Sequence, residues 1–509
     1  MITVSILAPD LPTLRARALA QIPFADAIEL RLDNLALARE ADLTELIRAL
    51  EKPVIAAVNA ADAFGTFSGT RAERFDLLAR AARAGAAYID IDWKEAAHQP
   101  PLPTTTRRIV SRHIQDETPT DLKRAFDALA LESHATDRLK FVTHAHRAED
   151  GARMLEFLSR QTRETIAFTS GERGSFTRVL APIFGSQSTY AAPAFVAGVD
   201  TGGATAPGQI RADTLRAQLP ATGLTRDTEI FAVLGNPARH SLSPRLHTAV
   251  FRNHNRNAVY VAIEPDDIGV FLAHAHAPNW RGFSVTAPFK EPAFALATER
   301  DEHARASSAA NTLIRAGATW NALNTDVGAV EVVLRRALQS AELEADLATA
   351  LVIGTGGAAR AALTALRRAK LGERSAESAA FCVTGRTESK VKSLAREFGA
   401  TPLTRDEWND QRFDILVHCT PAGSHVAPNE MPIPLALLKS ARAVIEAVYR
   451  PTRTPLVQAA ERAGVEVVLG TAWFLEQAAL QAQSFGADES ARPVLFAELE
   501  RALAEARTA

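Results

Sequence analysis

The sequence predicts an α/β protein: an N-terminal (β/α)8 barrel, followed by a two-domain unit that includes a Rossmann nucleotide-binding domain. Three observations predict this fold class. Short apolar runs alternate with helical segments through residues 1–222, a stretch containing Gly and Thr then interrupts the pattern, and a glycine-rich turn joins a strand to a helix in the second half. Alternating strands and helices are typical of parallel sheets covered by helices.

Eight β-branched, apolar runs in the first part are predicted to be the barrel strands. They lie at residues 2–8, 27–31, 53–58, 87–91, 107–112, 138–143, 164–169 and 194–199. Eight strand–helix units in one span of this length are typical of a (β/α)8 barrel, whose active site lies at the carboxyl ends of the strands. We therefore assign residues 1–222 to a barrel.

The remaining chain divides at its breaks in pattern. Residues 223–229 lack apolar periodicity and are predicted to be a linker. The run IFAVLG then begins a domain at 230–325, and the strand–turn–helix sequence LVIGTGGAARAALTAL falls in a nucleotide-binding domain at 326–478. The last segment, 479–509, is predicted to form helices that pack back on the 230–325 domain.

Composition restricts the class of protein. The 509 residues are 47% hydrophobic and 23% charged, with a formal net charge of −2. Such a chain can bury sizeable cores and has no general basic field for nucleic acid or anionic membranes, so small molecules are the expected partners. The N-terminus lacks the features of a signal peptide and no apolar run reaches membrane-spanning length, which predicts a cytoplasmic protein.

Metal and disulfide chemistry is not expected. Two cysteines, Cys382 and Cys419, are too few for a disulfide framework or a multi-cysteine zinc site. His-x-His pairs in THAHRAED and LAHAHAP have no further ligands nearby at metal-binding spacing.

Lysine is scarce, which makes each one informative. Only nine of the 57 basic residues are lysines. Arginine can replace lysine in solvation or ion pairing, but it stays protonated and cannot form a Schiff base or transfer a proton near neutral pH. Lys140 and Lys290 lie in strand or loop contexts that a surface role explains poorly, so both are candidate catalytic residues.

The glycine-rich turn follows a strand and opens a helix with the pattern GxGxxA. This context favours a dinucleotide site over a plain turn, because glycines let the backbone approach a pyrophosphate at the helix N-terminus. The next strand ends in Arg386, Thr387 and Lys390, without the acid that usually binds the ribose of NAD, so NADP is favoured. The predicted cofactor-binding residues are Gly354, Gly356, Gly357, Ala358, Arg386, Thr387, Lys390 and Gly470.

The second half contains five motifs whose order along the chain is characteristic of one enzyme family: VLGNPARHSLSPRLH, SVTAPFKEP, AANTL, NTDVGA and VIGTGGAARAA. Together they resemble shikimate dehydrogenases, which implies a two-domain shikimate-dehydrogenase-like unit with a Rossmann NADP-binding domain. The resemblance makes Lys290 and Asp326 the catalytic pair, with Lys290 supplying a proton to the ketone of 3-dehydroshikimate. The implied substrate-binding residues are Ser241, Ser243, Thr286, Asn311, Tyr449 and Gln477. The ordinary alternative is that Ser241, Ser243 and Asp326 are helix caps.

Polar residues at the strand ends of the barrel form a second candidate site: Glu29, Arg31, His113, Lys140 and Arg178. A desolvated lysine beside cationic arginines would have a lowered pKa and could attack a ketone, with histidine moving protons. These residues suit a carbonyl substrate that carries a carboxylate.

The motifs ELRLD, VSRH, RLKFVTHA, GSFTRVLAPIFGS and ATAPGQI resemble type I 3-dehydroquinate dehydratases. The resemblance implies that Lys140 forms an imine with the substrate ketone, that His113 removes the adjacent proton, and that Arg178 binds the carboxylate. No metal is needed for this chemistry. The residues implied to hold hydroxyls or close the site are Ser5, Glu29, Arg31, Thr205 and Gln209.

The chain departs from the two family patterns at several positions. In NAADAFG, Asn59 stands for the family's arginine and Ala63 for its glutamate, and Asp62 could substitute by a shifted register. In the second half, Ser284 and Gly385 stand where asparagines are usual. The replacements at Asn59 and Ala63 predict reduced turnover in the barrel. Gly385 lacks the side chain that an asparagine would place near the adenosine phosphate of the cofactor.

Taken together, the sequence predicts a bifunctional lyase and oxidoreductase of aromatic amino acid biosynthesis, which dehydrates 3-dehydroquinate and reduces the product with NADPH. Two alternatives stay open. One is a dehydrogenase that acts on quinate with NAD, paired with a dehydratase in a catabolic direction. The other is a barrel that has become a ligand-binding or structural domain, suggested by the lost arginine and glutamate.

Overall fold

The computed structural model describes residues 1–60, 65–373, 380–404, 407–408 and 411–508. The chain divides into two compact units: residues 1–229 with 257–279, and residues 230–256 with 280–509. Among the described residues, no helix combines the length and apolar character needed to cross a membrane.

The first unit contains the predicted barrel, as eight parallel strands in the order β7-β6-β5-β4-β3-β2-β1-β8. The sheet is nearly closed and confirms the predicted fold class. Its strands are β1 (Ile2–Leu7), β2 (Ala27–Arg31), β3 (Val54–Ala57), β4 (Tyr88–Asp92), β5 (Arg107–Ile114), β6 (Arg138–His144), β7 (Thr165–Ser170) and β8 (Thr189–Ala191).

Several helices between these strands bury one apolar face. In the second helix, Leu43, Leu46 and Leu50 recur at the spacing of one helical stripe and are buried. A capping box between Thr70 and Glu73 begins the third. The helices are α1 (Leu11–Ala20), α2 (Glu40–Leu50), α3 (Arg71–Arg83), α4 (Leu122–Leu131), α5 (Ala148–Ser159), α6 (Phe176–Leu180) and α7 (Ala212–Gln218), with 3-10 helices at Trp93–His98 and Ala181–Phe184.

The prediction of an eighth strand at 194–199 is wrong. The strand is β8, which ends at Ala191 and pairs with β1. Pro193 follows it and has no N–H to donate to a sheet, and Phe195 in the predicted run is 65% exposed. The apolar, β-like composition of AFVAGV therefore belongs to a loop.

A smaller α/β region follows the barrel. Its strands are β9 (Glu229–Leu234), β10 (Ala258–Ile263), β11 (Trp280–Val285), β12 (Glu299–Arg300), β13 (Thr312–Ala316) and β14 (Thr319–Leu323). Its helices are α8 (Ser243–Asn253), α9 (Ile268–His274), α10 (Lys290–Leu296) and α11 (Glu302–Ser307). In the second unit, β9 and β11 pair in parallel, β13 lies antiparallel to both β11 and β14, and β12 is parallel to β14.

Strand β10 and helix α9 group with the first unit. Glu149 on α5 explains part of this grouping, because its carboxylate accepts hydrogen bonds from the backbone N–H groups of Asp266, at 2.9 Å, and Asp267, at 2.7 Å. These two donors lie at the start of α9, where a helix leaves N–H groups unsatisfied.

The glycine-rich turn lies in a six-stranded parallel sheet, with the order β17-β16-β15-β18-β19-β20. This is the 3-2-1-4-5-6 order of a Rossmann domain, with the switch point between β15 and β18. The strands are β15 (Ala350–Ile353), β16 (Phe381–Thr384), β17 (Thr401–Pro402), β18 (Ile415–His418), β19 (Ala443–Glu446) and β20 (Glu466–Val468).

The described part of the second unit has six further helices: α12 (Thr325–Ser340), α13 (Gly357–Arg368), α14 (Glu388–Phe398), α15 (Pro455–Arg462), α16 (Gly470–Ser484) and α17 (Ala491–Thr508), with a 3-10 helix at Leu435–Lys439. The final helix packs on α8, where Leu495 and Leu499 share a core with Leu246 and Val250. Arg245 on α8 also forms an ion pair with Glu505 at 2.5 Å.

Candidate active sites

A cavity of about 380 Å³ in the second unit contains most of the predicted dehydrogenase residues. Its volume lies in the range of small-molecule sites. The predicted residues that line it are Ser241, Ser243, Thr286, Lys290, Asn311, Asp326, Ala358, Tyr449 and Gln477.

Lys290 and Asp326 are bound to each other in this cavity. Lys290 begins α10 and Asp326 lies in the first turn of α12, and Nζ donates to Oδ2 at 2.6 Å. The indole Nε1 of Trp473 donates to the other carboxylate oxygen at 3.2 Å. A Cβ at Gly357 would come within 2.6 Å of Lys290 Cδ, so the glycine leaves room for the lysine stem. The arrangement holds an ammonium group at a fixed point beside the glycine-rich turn.

Hydroxyl and amide side chains line the cavity around Lys290 and Asp326. The Asn311 amide donates to Thr325 Oγ1 at 2.8 Å and to Gln477 Oε1 at 3.4 Å. Ser241 Oγ donates to Ser243 Oγ at 3.1 Å. Burial raises the pKa of Tyr449, and its hydroxyl contacts Ser241. These hydroxyl and amide groups suit a polyol that carries a carboxylate.

Sequence reasoning missed two residues on α16. Trp473 binds Asp326, and Gln481 accepts a hydrogen bond from Ser284 Oγ at 2.9 Å. A signal was present, since Trp473, Gln477 and Gln481 are four residues apart and share one face of a helix. The departure at Ser284 therefore keeps a polar partner inside the cavity.

The glycine-rich turn lies between β15 and α13. Gly354 has a φ of +133°, and a Cβ there would come within 3.0 Å of the Cys419 carbonyl oxygen. Gly356 is the N-cap of α13 without a side-chain cap, and a Cβ there would meet no atom within 4 Å. A close backbone approach, open space and free helix N–H groups fit the pyrophosphate of a dinucleotide.

The residues predicted to determine the preference for NADP over NAD follow the end of β16. Arg386, Thr387 and Lys390 are exposed. Within the described ranges, the side chains of Arg386 and Lys390 form no ion pair, so both charges are available to a phosphate. Gly470 is the first residue of α16, and a Cβ there would lie only 2.2 Å from the carbonyl oxygen of Val448. Gly470 does not line the cavity.

The predicted barrel residues meet at a second, smaller cavity of about 50 Å³ in the first unit. Those that line it are Glu29, Arg31, Asn59, His113, Lys140, Arg178, Thr205 and Gln209. Ser5 is buried beside them: it donates to Glu29 and accepts from Thr205 Oγ1 at 2.9 Å. Asp62 and Ala63 lie outside the described residues.

Lys140 is held by carboxylates. Its Nζ lies 2.8 Å from Asp90 Oδ2 and 3.5 Å from Glu29 Oε1, and 4.0 Å from the centre of the Tyr190 ring. Burial disfavours the ammonium, but Asp90, Tyr190 and Glu29 outweigh burial, and the pKa of Lys140 is raised. The prediction of a lowered pKa is wrong, because the groups bound to Nζ are carboxylates and not the guanidinium of an arginine.

Asp90 is a residue of the barrel site that the sequence motifs did not identify. Its carboxylate binds Lys140, and its charge also acts on His113. Burial opposes its ionisation, but Lys140 and His113 lower the pKa of Asp90. The available signal was its place in β4, two residues before the carboxyl end of the strand, since barrel active sites form at that edge.

His113 is neutral near pH 7 in this environment. Burial, and then repulsion from Lys140, lower the pKa of His113 to about 4. A neutral imidazole beside a lysine can accept a proton, as a general base requires.

Arg178 is a buried cation. It is 1% exposed, its guanidinium donates to the carbonyls of Tyr190 at 3.2 Å and Pro207 at 3.1 Å, and its Nε has no hydrogen-bond partner among the described residues. Burial lowers the pKa of Arg178 to about 9. Arg31, by contrast, is bound to Asp33 at 2.5 Å. No carboxylate pairs with Arg178 among the residues the structure covers, so an anionic ligand suits this position.

No cluster of three or more histidine, cysteine, aspartate or glutamate residues in the described chain has a geometry that could hold a metal ion. Neither Cys382 nor Cys419 forms a disulfide within the described chain.

The Asp90–Lys140 contact gives a test by pH. Replacing Asp90 with Asn removes a negative charge that raises the pKa of Lys140, so the amine loses its proton at lower pH. We expect kcat/KM of the reaction at the barrel site to begin its rise at lower pH in D90N than in wild type, which a pH–rate profile measures. D92N, two residues on in β4, should leave the profile in place; equal profiles for D90N and wild type would contradict the assignment.

Both halves of the chain are similar to known protein families. Residues 2–225 match the family model for type I 3-dehydroquinase, and residues 233–313 match the shikimate dehydrogenase substrate binding domain. A shikimate dehydrogenase (NADP(+)) from Syntrophobacter fumaroxidans is 37% identical over 259 residues, which are 50% of this chain and 86% of the relative.

Two further relatives span most of the chain. The bifunctional 3-dehydroquinate dehydratase/shikimate dehydrogenase of Arabidopsis thaliana, a chloroplastic protein, is 29% identical over 486 residues, covering 91% of this chain and 77% of the relative. A solved dehydroquinate dehydratase and shikimate dehydrogenase structure from S. pombe is 20% identical, covers 98% of both chains and has a TM-score of 0.42. By its family matches and the Syntrophobacter relative, the chain belongs to the shikimate dehydrogenase family and carries a type I 3-dehydroquinase domain at its N-terminus.

Proposed function

We propose that this chain is a bifunctional enzyme of the shikimate pathway. Its barrel dehydrates 3-dehydroquinate to 3-dehydroshikimate, and its second half reduces that product to shikimate with NADPH. The observation that carries the proposal is that each unit holds a cavity in which a lysine is bound to a carboxylate, Lys140 by Asp90 and Lys290 by Asp326.

In the barrel, the substrate carboxylate would bind Arg178, whose buried charge has no counter-ion among the described residues. The Lys140 amine would attack the ketone, and loss of water would leave an imine. That imine acidifies the adjacent C–H bond, because its nitrogen accepts the electron pair. Since Lys140 begins protonated, its proton must leave before attack, and the adjacent carboxylates are the nearest acceptors.

His113 would then remove the acidified proton and return a proton to the departing hydroxyl, which leaves as water. Hydrolysis of the imine releases 3-dehydroshikimate and restores Lys140. Ser5, Glu29, Arg31, Thr205 and Gln209 would hold the substrate hydroxyls and close the site.

In the second half, the carboxylate of 3-dehydroshikimate would bind Ser241 and Ser243, beside Tyr449. Lys290 would donate a proton to the ketone oxygen, and Asp326 would orient Lys290. When bound, NADPH supplies the hydride that the reaction needs. The residues proposed to hold the ring hydroxyls are Thr286, Asn311 and Gln477.

The domain boundaries are also part of the proposal: a barrel at 1–222, a linker at 223–229, a substrate domain at 230–325, an NADP domain at 326–478, and C-terminal helices at 479–509 that pack on the substrate domain. We propose that the protein works in the cytoplasm on small molecules and binds neither nucleic acid nor membranes. Its net charge of −2 supports this, since no general basic field is present.

The test is kinetic. The purified full-length protein should turn over 3-dehydroquinate without cofactor, and should show a higher kcat/KM for shikimate with NADP than for quinate with NAD. Preference for quinate and NAD would instead favour the catabolic alternative, and absence of dehydratase turnover would favour a barrel that only binds ligands.

The position of Arg386 makes cofactor choice testable. Replacing Arg386 with Ala removes a cation from the proposed 2′-phosphate site, so KM for NADPH should rise about tenfold, the value of one charge-assisted contact near 1.4 kcal/mol. KM for NADH, which has no 2′-phosphate, should change little. A matched control is Arg396→Ala on α14; equal effects of R386A on both cofactors would contradict the role.

A further inference from the structure

The 380 Å³ cavity carries a cation that neither proposed half-reaction uses. Arg450 follows Tyr449 in the chain and lines the cavity. Asp326 is the one carboxylate among the lining residues that the structure describes, and Lys290 already neutralises it at 2.6 Å. Arg450 therefore leaves the cavity with a net positive charge.

The Arg450 side chain has no hydrogen-bond or ion-pair partner among the described residues. Arg453, three residues further along the chain, is by contrast paired with Glu461 at 3.1 Å. An unpaired guanidinium on a cavity wall is a suitable partner for an anionic group of a ligand.

The positive charge of Arg450 lies next to the part of the cavity where Ser241 and Ser243 are proposed to bind the substrate carboxylate. Tyr449 stacks on Phe474 with ring centres 4.1 Å apart, and its hydroxyl contacts Ser241. The electrostatic effect of Arg450 favours the ionised form of Tyr449, against the larger effect of burial. A carboxylate at Ser241 and Ser243 would be stabilised by the same field.

We propose that Arg450 is a specificity-determining residue that binds an anionic group of the ligand in this cavity. The inference rests on the proposed dehydrogenase function. Two groups have this chemistry: the carboxylate of 3-dehydroshikimate, and a phosphate of the dinucleotide. Because Arg450 is exposed at the wall, its contribution is moderate and is screened by salt.

The experiment compares wild type with R450A, R450K and the control R453A. In R450A, kcat/KM for 3-dehydroshikimate should fall about tenfold, mainly through KM, while KM for NADPH stays unchanged. R450K should recover part of the loss, R453A should match wild type, and the deficit should shrink as ionic strength rises. The methyl ester of shikimate, assayed in the reverse direction, should react equally with wild type and R450A.

Other outcomes are decisive. A rise confined to KM for NADPH would support anion binding and identify the dinucleotide phosphate as its source. Unchanged KM values for both ligands in R450A would overturn the proposal. If wild-type protein lacked dehydrogenase activity, the proposed function would fail, and calorimetric titration with shikimate or NADP would still test Arg450: equal affinities of wild type and R450A for both would overturn it.

Discussion

Replacing Lys290 with Met is expected to lower kcat of the dehydrogenase reaction by about 10³-fold, within the usual range of 10²–10⁴ for a lost general acid. The substitution keeps much of the buried stem but removes the proton that the ketone oxygen would receive. It also leaves Asp326 with Trp473 as a remaining hydrogen-bond donor. Steady-state rates of 3-dehydroshikimate reduction at saturating NADPH measure the effect.

Two controls separate catalysis from folding in K290M. The dehydratase rate of the same protein should equal that of wild type, because Lys290 lies in the second unit. Lys439→Met, at an exposed lysine of the same unit, should leave both rates unchanged. A K290M enzyme that keeps kcat within threefold of wild type would be incompatible with proton donation by Lys290.

Replacing Lys140 with Ala is expected to reduce dehydratase kcat by at least about 10³-fold, since the covalent route is lost entirely. Borohydride added during turnover should reduce the imine in wild type and leave a mass adduct on Lys140. In K140A this adduct should be absent, while dehydrogenase activity is retained.

The matched control for K140A is Lys123→Ala, an exposed lysine paired with Asp127 on the outside of the barrel. It should keep both turnover and the adduct. His113→Gln should still form the adduct but turn over slowly, because imine formation precedes the step assigned to His113. Trapping of the adduct on any lysine other than Lys140 in wild type would refute the assignment.

The fold was predicted correctly where a secondary-structure element has a distinctive sequence pattern within its own residues. The glycine-rich turn predicted a strand, a turn and a helix, and the structure has β15, the turn and α13 there. The eighth barrel strand was misplaced because its three residues, Thr189–Ala191, are too few for a period to be recognised, whereas the apolar run after Pro193 imitates a strand. Pairing with β1, a contact distant in sequence, decides which run forms the strand.

The sequence motifs predicted which residues lie together in the barrel site, but not the direction in which the pKa of Lys140 is shifted. The motifs supplied Lys140, His113 and Arg178, and all three line one cavity. The direction of the Lys140 pKa shift depends on which charge lies closest, and that is decided by strand register across the barrel. Asp90 on β4 accepts a hydrogen bond from Lys140 on β6, with β5 between the two strands. A local sequence pattern does not show this contact, because it joins residues 50 positions apart.

The most direct test of the whole account supplies the full-length protein with 3-dehydroquinate and NADPH only. Wild type should oxidise one NADPH for each 3-dehydroquinate consumed and accumulate shikimate. K140A should oxidise none until 3-dehydroshikimate is added, and K290M should accumulate 3-dehydroshikimate without oxidising NADPH. Wild-type protein that reduces added 3-dehydroshikimate but never oxidises NADPH from 3-dehydroquinate would contradict the claim that one chain carries both reactions.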